Sequence, residues 1–285
     1  MNLNIITGII FLILAPLIGG LIAGADRIVT ARMQGRVGPP LLQPFYDVSK
    51  LFEKETMVVT TTQYVYVVAY IVFIAFTGAL FFSGGDILLV VFALTLAHVF
   101  LIMGAYASRS PYSVIGAERE LIMLMAFEPA IILCAAGMYL VSKSFFVRDI
   151  ISYNGAIILL IPGLFFAFLY VFTMKLRKSP FDISTSHHAH QELIKGLTTD
   201  FSGSVLGITE IAHWYETVFL LGFIYLFFAF NPVIGIIALI VIYLLEIYID
   251  NVSARVRWSF ALKSAWIITA VLGIVNIGIL FFRWW

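Results

Sequence analysis

Ionisable residues that could exchange protons or bind a cation are concentrated between Lys178 and Glu216. They share a short, polar and turn-rich stretch inside a strongly apolar chain, and they are Lys178, Asp182, His187, His188, His190, Glu192, Lys195, Asp200, Glu210, His213 and Glu216. Side chains of these types titrate near neutral pH when burial or neighbouring charges shift their pKa values. The stretch therefore indicates that the protein handles protons, ions or a redox partner.

The spacing of His187, His188 and His190 could chelate a divalent ion. However, no thiolate or second ligand cluster accompanies these histidines. We therefore predict no metal site. Because imidazole titrates near pH 7, a proton relay or an interface contact is the preferred interpretation, and a solvated loop is the alternative.

Carboxylates also lie within the apolar segments, where an ionisable side chain costs about 2.5–3.5 kcal/mol at the bilayer centre. A helical rise of 1.5 Å per residue places Glu128 roughly 15 Å from Glu118, near the midplane. The predicted proton path consists of Glu118, Glu120, Glu128, Glu210, His213, Glu216 and Glu246. For Glu118 and Glu120 the alternative is that both are solvated and that Arg119 pairs with one of them.

The composition identifies the class of protein. The chain is 62% hydrophobic and 12% charged, whereas a soluble domain has about 25% charged residues. Continuous apolar runs of nearly 20 residues or more are typical of membrane-spanning helices and not of β-barrels. We predict an all-α polytopic membrane protein whose residues 1–285 form a single integral membrane domain.

Eight membrane spans are predicted, together with a short interfacial helix over residues 41–54 after the first span. The spans cover residues 5–25, 64–82, 87–107, 119–140, 156–175, 211–230, 233–250 and 262–282. Tight turns at Gly84-Gly85-Asp86 and Asn231-Pro232 alternate with long polar connections that carry most of the cations. The positive-inside rule therefore predicts cytoplasmic long connections and both termini outside.

Cysteine usage limits the redox chemistry of the chain itself. The sequence has one cysteine, Cys134, and an iron–sulfur cluster normally needs four thiolates. Any electron carriers are expected in other chains. The net charge of +1 gives no indication of nucleic acid binding.

Several motifs resemble the family of H-type membrane subunits of respiratory complex I. They are Ala31-Arg32-Met33-Gln34-Gly35-Arg36-Val37-Gly38-Pro39-Pro40, Leu42-Gln43-Pro44-Phe45-Tyr46-Asp47 with Lys50-Leu51, Ser179-Pro180-Phe181-Asp182, and Asp200-Phe201-Ser202-Gly203. The eight-span layout with both termini outside also looks like that family. The resemblance covers nearly the whole chain.

Two departures from the motifs of quinone-reducing members indicate which branch of the family this chain resembles. Quinone-reducing members typically have Gly-Pro-Asn at Gly38-Pro39-Pro40, and an acidic cluster where this chain has Ser186-His187-His188-Ala189-His190-Gln191-Glu192. That histidine form, with Gly116-Ala117-Glu118-Arg119-Glu120-Leu121, looks like the matching subunit of energy-converting, membrane-bound NiFe hydrogenases (Ech/Mbh type, group 4). The related sulfur-reducing complex is similar.

The resemblance implies that the chain is a multi-pass, non-catalytic subunit in the plasma membrane of a prokaryote, where it anchors the complex and couples its reactions. Its partners would be hydrogenase small and large subunits, an iron–sulfur subunit and antiporter-like membrane subunits. The Fe–S clusters and the NiFe site would lie in those partners. The expected docking residues for the peripheral arm are Arg32, Gln34, Arg36, Asp47, Lys50, Asp182, His187, His188, His190, Glu192 and Asp200.

Two other functions stay open at this point. A quinone-reducing complex of the complex I class is disfavoured by the missing acidic cluster. An independent ion transporter would move ions without partner chains, and the sequence contains no convincing internal repeat of the kind that many transporters have.

Overall fold

The computed structural model describes residues 2–57, 60–184 and 196–284. Their regular secondary structure is helical. In chain order the helices are α1 (Asn2–Met33), α2 (Gln43–Glu53), α3 (Thr61–Phe82), α4 (Ile87–Ala107), α5 (Pro111–Ser142), α6 (Val147–Ile151), α7 (Ile157–Leu160), α8 (Pro162–Lys175), α9 (Gly203–Phe227), α10 (Pro232–Val252), α11 (Trp258–Ile268) and α12 (Val275–Trp284), with a π-helical segment, Thr269–Ile274, between the last two.

Helices occupy all eight predicted spans, which confirms the all-α polytopic class. Within the described ranges, six stretches are long and apolar enough to cross a membrane: α1, α3, α4, α5, α10 and the continuous run from α11 to α12. The predicted span 211–230 lies in α9, which begins earlier, at Gly203. The predicted span 156–175 is divided into α7 and the shorter apolar helix α8.

The division between α7 and α8 occurs at Ile161, whose φ of −125° and ψ of 49° are not helical. Pro162 follows and has no backbone N–H to donate. Asn276 of α12 spans this break, because its Oδ1 accepts from the Leu164 N–H at 3.3 Å and its Nδ2 donates to the Leu160 carbonyl at 3.3 Å. A protein side chain thus satisfies backbone groups that lipid could not.

The two predicted tight turns have the local chemistry that their sequences indicate. Asp86 is the N-cap of α4, and its carboxylate accepts the N–H groups of Leu88 and Leu89 at 2.8 and 3.4 Å. Asn231 caps α10 in the same way. Gly84 adopts a φ of +79°, which a residue with a side chain rarely adopts. Both turns therefore join consecutive helices with few residues.

The core lies among α3, α4, α5, α8 and α9. Phenylalanines from three helices pack at its centre. The Phe168 and Phe223 rings stack with centroids 4.7 Å apart, and the Phe81 and Phe219 rings meet edge to face at 5.2 Å. α1, α10 and α12 instead expose many large apolar side chains. That distribution is expected where the outer surface faces hydrocarbon.

Helix α1 approaches α9 closely through Gly19. A Cβ built at Gly19 would lie 2.6 Å from both the Cβ and the carbonyl oxygen of Trp214. We predict that Gly19→Leu destabilises the fold by about 1–3 kcal/mol, because overpacking forces the two helices apart. Thermal unfolding in detergent measures the effect. Gly278→Leu is the matched control, since a Cβ there meets nothing within 4 Å, and an equal loss in both variants would contradict the prediction.

Candidate functional site

Seven polar side chains meet among α3, α4, α5, α8 and α9, and we name this group the central cluster. Its members are Tyr70, His98, Glu120, Lys175, Arg177, His213 and Glu216. All are buried except His213, which is partly exposed. Since buried charges are retained only when they are paired, the cluster must be understood from its contacts.

Glu216 of α9 is the carboxylate at the middle of the central cluster. Its Oε1 lies 2.9 Å from Nε2 of His98 and 3.3 Å from Nζ of Lys175. Its Oε2 accepts from the Tyr70 hydroxyl at 3.5 Å and lies 3.6 Å from Nδ1 of His213. Helices α3, α4, α8 and α9 therefore all bring a polar group to one carboxylate.

His98 and Lys175 both contact Oε1 of Glu216, and they also lie close to each other. The Nδ1 of His98 lies 2.8 Å from the Leu94 carbonyl, which can only accept, so this nitrogen carries a hydrogen. The Nε2 lies 3.0 Å from Nζ of Lys175 and 2.9 Å from Glu216. A neutral imidazole accepts from Lys175 through Nε2, whereas an imidazolium donates to Glu216. The location of one proton therefore determines which partner His98 binds.

The ammonium group of Lys175 is also held by an aromatic ring. Its Nζ lies 3.8 Å from the centroid of the Phe127 ring, a distance at which a cation is attracted to the ring face. Only 2% of the Lys175 side chain is exposed. Protein groups, not water, therefore solvate this cation.

Arg177 connects Glu120 to the histidine on α9. Its Nη2 donates to Oε1 of Glu120 at 2.7 Å, its Nε donates to the same carboxylate at 3.2 Å, and its Nη1 lies 2.8 Å from Nδ1 of His213. Arg177 has a φ of +52°. This left-handed residue directly follows the C-cap of α8 and turns the chain there, at a cost that only a well-fixed site sustains.

A second polar group lies on the other side of α8, and we name it the Glu246 cluster. It comprises Asp26 of α1, Thr173 of α8, Lys178, and Tyr243, Glu246 and Asp250 of α10. Thr173 donates to Oε1 of Glu246 at 3.1 Å. No described residue hydrogen-bonds the buried Oε2 of Glu246. This carboxylate therefore keeps an unused position for a proton or a donor.

Lys178 contributes the cation of the Glu246 cluster. Its Nζ lies 2.6 Å from Oδ2 of Asp26 and 4.9 Å from the centroid of the Tyr243 ring. The Tyr243 hydroxyl donates to the same Asp26 oxygen at 3.3 Å. The next residue, Ser179, donates its backbone N–H to Asp250 at 2.8 Å. These contacts connect α1, α10 and the segment that follows α8.

The predicted proton path is divided by the structure. Glu120, His213 and Glu216 meet in the central cluster, and Glu246 lies in its own cluster. Glu118 is exposed on α5, and Glu128 and Glu210 are partly exposed. In the described ranges no hydrogen bond or ion pair reaches these last three carboxylates. Arg119 donates to the Ile183 carbonyl at 3.3 Å, and the partner of Glu120 is Arg177.

The first group of predicted docking residues lies around α2. Arg32, Gln34, Arg36 and Lys50 are exposed, and Gln34 donates to Asn251 of α10 at 2.9 Å while accepting from Arg36. Asp47 pairs with Arg27 at 2.5 Å and accepts from Gln43 at 2.8 Å. Burial opposes ionisation of Asp47, but these two partners outweigh it and lower the pKa of the carboxyl.

The second group of docking residues follows α8. Asp182 is buried, its Oδ1 accepts from Nε of Arg255 at 3.1 Å, and its pKa is raised because burial outweighs the guanidinium. Asp200 accepts from the Ser113 hydroxyl at 2.6 Å. The predictions for His187, His188, His190 and Glu192 fall outside the described residues.

Sequence reasoning missed His98, Lys175, Arg177, Lys178 and Tyr70 as members of buried clusters. His98 lies in the middle of an apolar span, and an intramembrane histidine is by default a candidate functional residue. Lys175, Arg177 and Lys178 are easily assigned to the polar connection, because Lys175 is the last residue of α8 and the other two follow it closely. Tyr70 carries no signal, since tyrosine is common in such helices.

Cysteine and grouped metal-ligand side chains are scarce in the part of the chain that the structure describes. Cys134 is buried in α5 and donates to the Leu164 carbonyl at 3.5 Å, and it is the single cysteine of the sequence. Across residues 2–57, 60–184 and 196–284, no three His, Cys, Asp or Glu side chains are grouped as metal ligands. Ion pairs and hydrogen bonds hold the central cluster and the Glu246 cluster together.

Known proteins resemble this chain in sequence and in fold. Hydrogenase-4 component C of Escherichia coli is 25% identical, with 91% of this chain and 89% of that protein covered. A putative NADH-ubiquinone oxidoreductase of Methanocaldococcus jannaschii is 30% identical over 74% of this chain and 73% of its own length. A chain of an archaeal membrane-bound sulfane sulfur reductase has the same fold, with a TM-score of 0.83 at 24% identity, covering 96% of this chain and 99% of that chain. The family model for NADH dehydrogenase matches residues 5–281, and the chain therefore belongs to the NADH dehydrogenase family.

Proposed function

We propose that this chain is the membrane anchor and coupling subunit of a ferredoxin-linked, membrane-bound hydrogenase complex. Its own residues perform no redox chemistry. They convert a change at the peripheral arm into a change in the charge pairing of buried groups, which drives proton or sodium translocation in neighbouring subunits. The similarity to Hydrogenase-4 component C over 91% of the chain supports the hydrogenase assignment.

One observation carries the coupling role. The segment from Thr173 to Asp182 contacts both clusters: Lys175 and Arg177 reach the central cluster, whereas Thr173 and Lys178 reach the Glu246 cluster. The histidines that we expect at the peripheral arm follow this segment in the sequence. A displacement of the segment therefore changes the distances to Glu216 and Glu246 at once.

The chemistry of the central cluster suits such a role. When Lys175 lies close to Glu216 the carboxylate is neutralised by the ammonium, and His98 need not be protonated. When Lys175 moves away, Glu216 needs another cation, and protonation of His98 supplies it. Movement of one lysine is in this way linked to uptake or release of one proton by a buried imidazole.

We place the Fe–S clusters and the NiFe site in partner subunits, since the single cysteine here cannot supply a cluster's thiolates. The other partners proposed are hydrogenase small and large subunits, an iron–sulfur subunit and antiporter-like membrane subunits. The exposed residues around α2 and the segment after α8 would dock the arm. We further propose a prokaryotic plasma membrane, with these docking segments in the cytoplasm and both termini outside.

Affinity purification of the tagged chain from its native membrane tests the proposal. We expect a complex that contains a large subunit with two Cys-x-x-Cys pairs and that evolves hydrogen from reduced ferredoxin. Several relatives are subunits of NADH-quinone oxidoreductases, for example in Anoxybacillus flavithermus, so quinone reduction is the competing activity. Quinone-dependent turnover blocked by quinone-site inhibitors, without hydrogen evolution, would overturn the assignment. Transport by the chain alone in liposomes would favour an independent transporter.

A further inference from the structure

An apolar cleft of about 760 Å³ lies between α1, α9 and α10. It is separate from the central cluster and shares Tyr243 with the Glu246 cluster. Residues at its two ends and along its walls include Thr7, Phe82, Arg148, Gly222, Ile240 and Tyr243. A volume in the range of roughly 300–1,000 Å³ is typical of sites for small organic molecules.

The walls of the cleft favour hydrocarbon over water. Apart from a few hydroxyl groups and Arg148, the lining side chains are aliphatic or aromatic. Apolar cavities of this kind do not hold water, because water there would lack hydrogen-bond partners. An empty cleft would instead lose the dispersion contacts of every lining atom. An apolar molecule is therefore the expected occupant.

The length of the cleft matches the membrane. The residues of α1 that line it are Thr7 at one end and Ile18, Ile22, Ala25 and Val29 further along. At 1.5 Å per residue, Thr7 and Val29 are about 33 Å apart along the helix. The hydrocarbon core of a bilayer is about 30 Å thick. The cleft consequently runs parallel to the lipid chains around the protein, and a chain can enter it without leaving the bilayer.

One end of the cleft carries a cation suited to a headgroup. The Arg148 side chain is 66% exposed, and its Nε lies 3.4 Å from Oδ1 of Asp149. Asp149 is also bound by the Ser144 hydroxyl at 2.7 Å. Among the described residues, none accepts a hydrogen bond from the two Nη groups of Arg148. A guanidinium with both Nη groups available can bind a phosphate in a bidentate manner.

We propose that this cleft binds the acyl chains of a phospholipid whose anionic headgroup is held by Arg148. The chains extend from Arg148 towards Tyr243, whose hydroxyl donates to Asp26 in the Glu246 cluster. The lipid thereby fills the space between α1 and α10 and supports the helix pair that carries Asp26 and Tyr243. The charge of Arg148 selects an anionic headgroup, and the apolar walls retain the chains.

Native mass spectrometry of the intact complex tests this site. The complex is delipidated and then incubated with phosphatidylglycerol or phosphatidylcholine of the same chain length. We expect wild type to retain one more phosphatidylglycerol than phosphatidylcholine per copy of this chain. Arg148→Gln removes that preference, and Ile240→Trp, which fills the cleft, removes the extra lipid altogether. Lys143→Gln, a cation that does not line the cleft, behaves as wild type.

Two outcomes would overturn the proposal. The first is an unchanged lipid count in Ile240→Trp together with an unchanged headgroup preference in Arg148→Gln. Since Arg148 is exposed, its variant folds, and a negative result cannot be ascribed to misfolding. The second is the release of an isoprenoid quinone, and of no phospholipid, from the wild-type cleft on solvent extraction.

Discussion

Arg177→Met is expected to lower the unfolding free energy by about 3–5 kcal/mol, because it leaves the buried Glu120 without its counter-charge. Arg177 donates to that carboxylate through both Nη2 and Nε, and only 4% of the Glu120 side chain is exposed. Denaturant or thermal unfolding of the purified complex measures the loss. The effect should be among the largest of any single substitution in the chain.

Two companion variants identify the cause. Arg27→Met breaks the Arg27–Asp47 pair, whose side chains are 47% and 39% exposed, and an exposed pair contributes only about 0–1 kcal/mol. The double variant Arg177→Met with Glu120→Leu should recover much of the stability, because a buried ion pair can be replaced by apolar groups at little cost. A single Arg177→Met variant no less stable than Arg27→Met would show that the pair is not structural.

Glu216→Gln is expected to abolish most ion translocation while hydrogen evolution continues. Glutamine has nearly the same volume, so the packing of α9 is retained. However, a neutral amide can neither balance the charge of Lys175 nor receive a proton from His98. Vesicles that contain the reconstituted complex allow two measurements at once. Hydrogen evolution is driven by reduced ferredoxin, and an indicator dye reports the ion gradient.

The matched control for this experiment is Glu118→Gln. It makes the same chemical change at an exposed carboxylate on α5, outside both clusters. We expect its gradient and its hydrogen evolution to equal those of wild type. Equal gradients in Glu216→Gln and wild type would remove Glu216 from the coupling path, and loss of complex assembly in Glu216→Gln would instead assign it a structural role.

The positions of the helices are largely predictable from the sequence. Which helix faces and which side chains meet in the fold is not. Apolar runs and the two tight turns predicted the position of helical structure in each of the eight segments, because bilayer thickness demands such runs. Six stretches of the described residues are long and apolar enough to cross a membrane. The ends of helices were less accurate: α5 begins at Pro111, not near Arg119, since proline is well suited to the first turn of a helix. Hydropathy alone does not detect that signal.

The contacts of the site depend on information that hydropathy lacks. His98 and Glu216 are 118 positions apart, and α4 is apolar on nearly all sides, so no periodicity indicates which face meets α9. Depth in the membrane can be estimated from residue number, which is why Glu128 is expected near the midplane. The direction in which a side chain points around the helix axis cannot be estimated from residue number. Glu128 in fact lies partly exposed and has no partner among the described residues.

The break before α8, which Asn276 bridges, has a mechanical consequence. α8 is a rod of 14 residues, about 21 Å long, with a pivot at Ile161 and a charged tip at Lys175. A tilt of about 5° at the pivot would move a tip at that distance by about 2 Å. The Nζ of Lys175 lies 3.3 Å from Glu216, so such a swing is the difference between contact and separation. α8 thus has the proportions of a lever arm, in which a small change of angle at Ile161 is enough to change the ion pairing at Lys175.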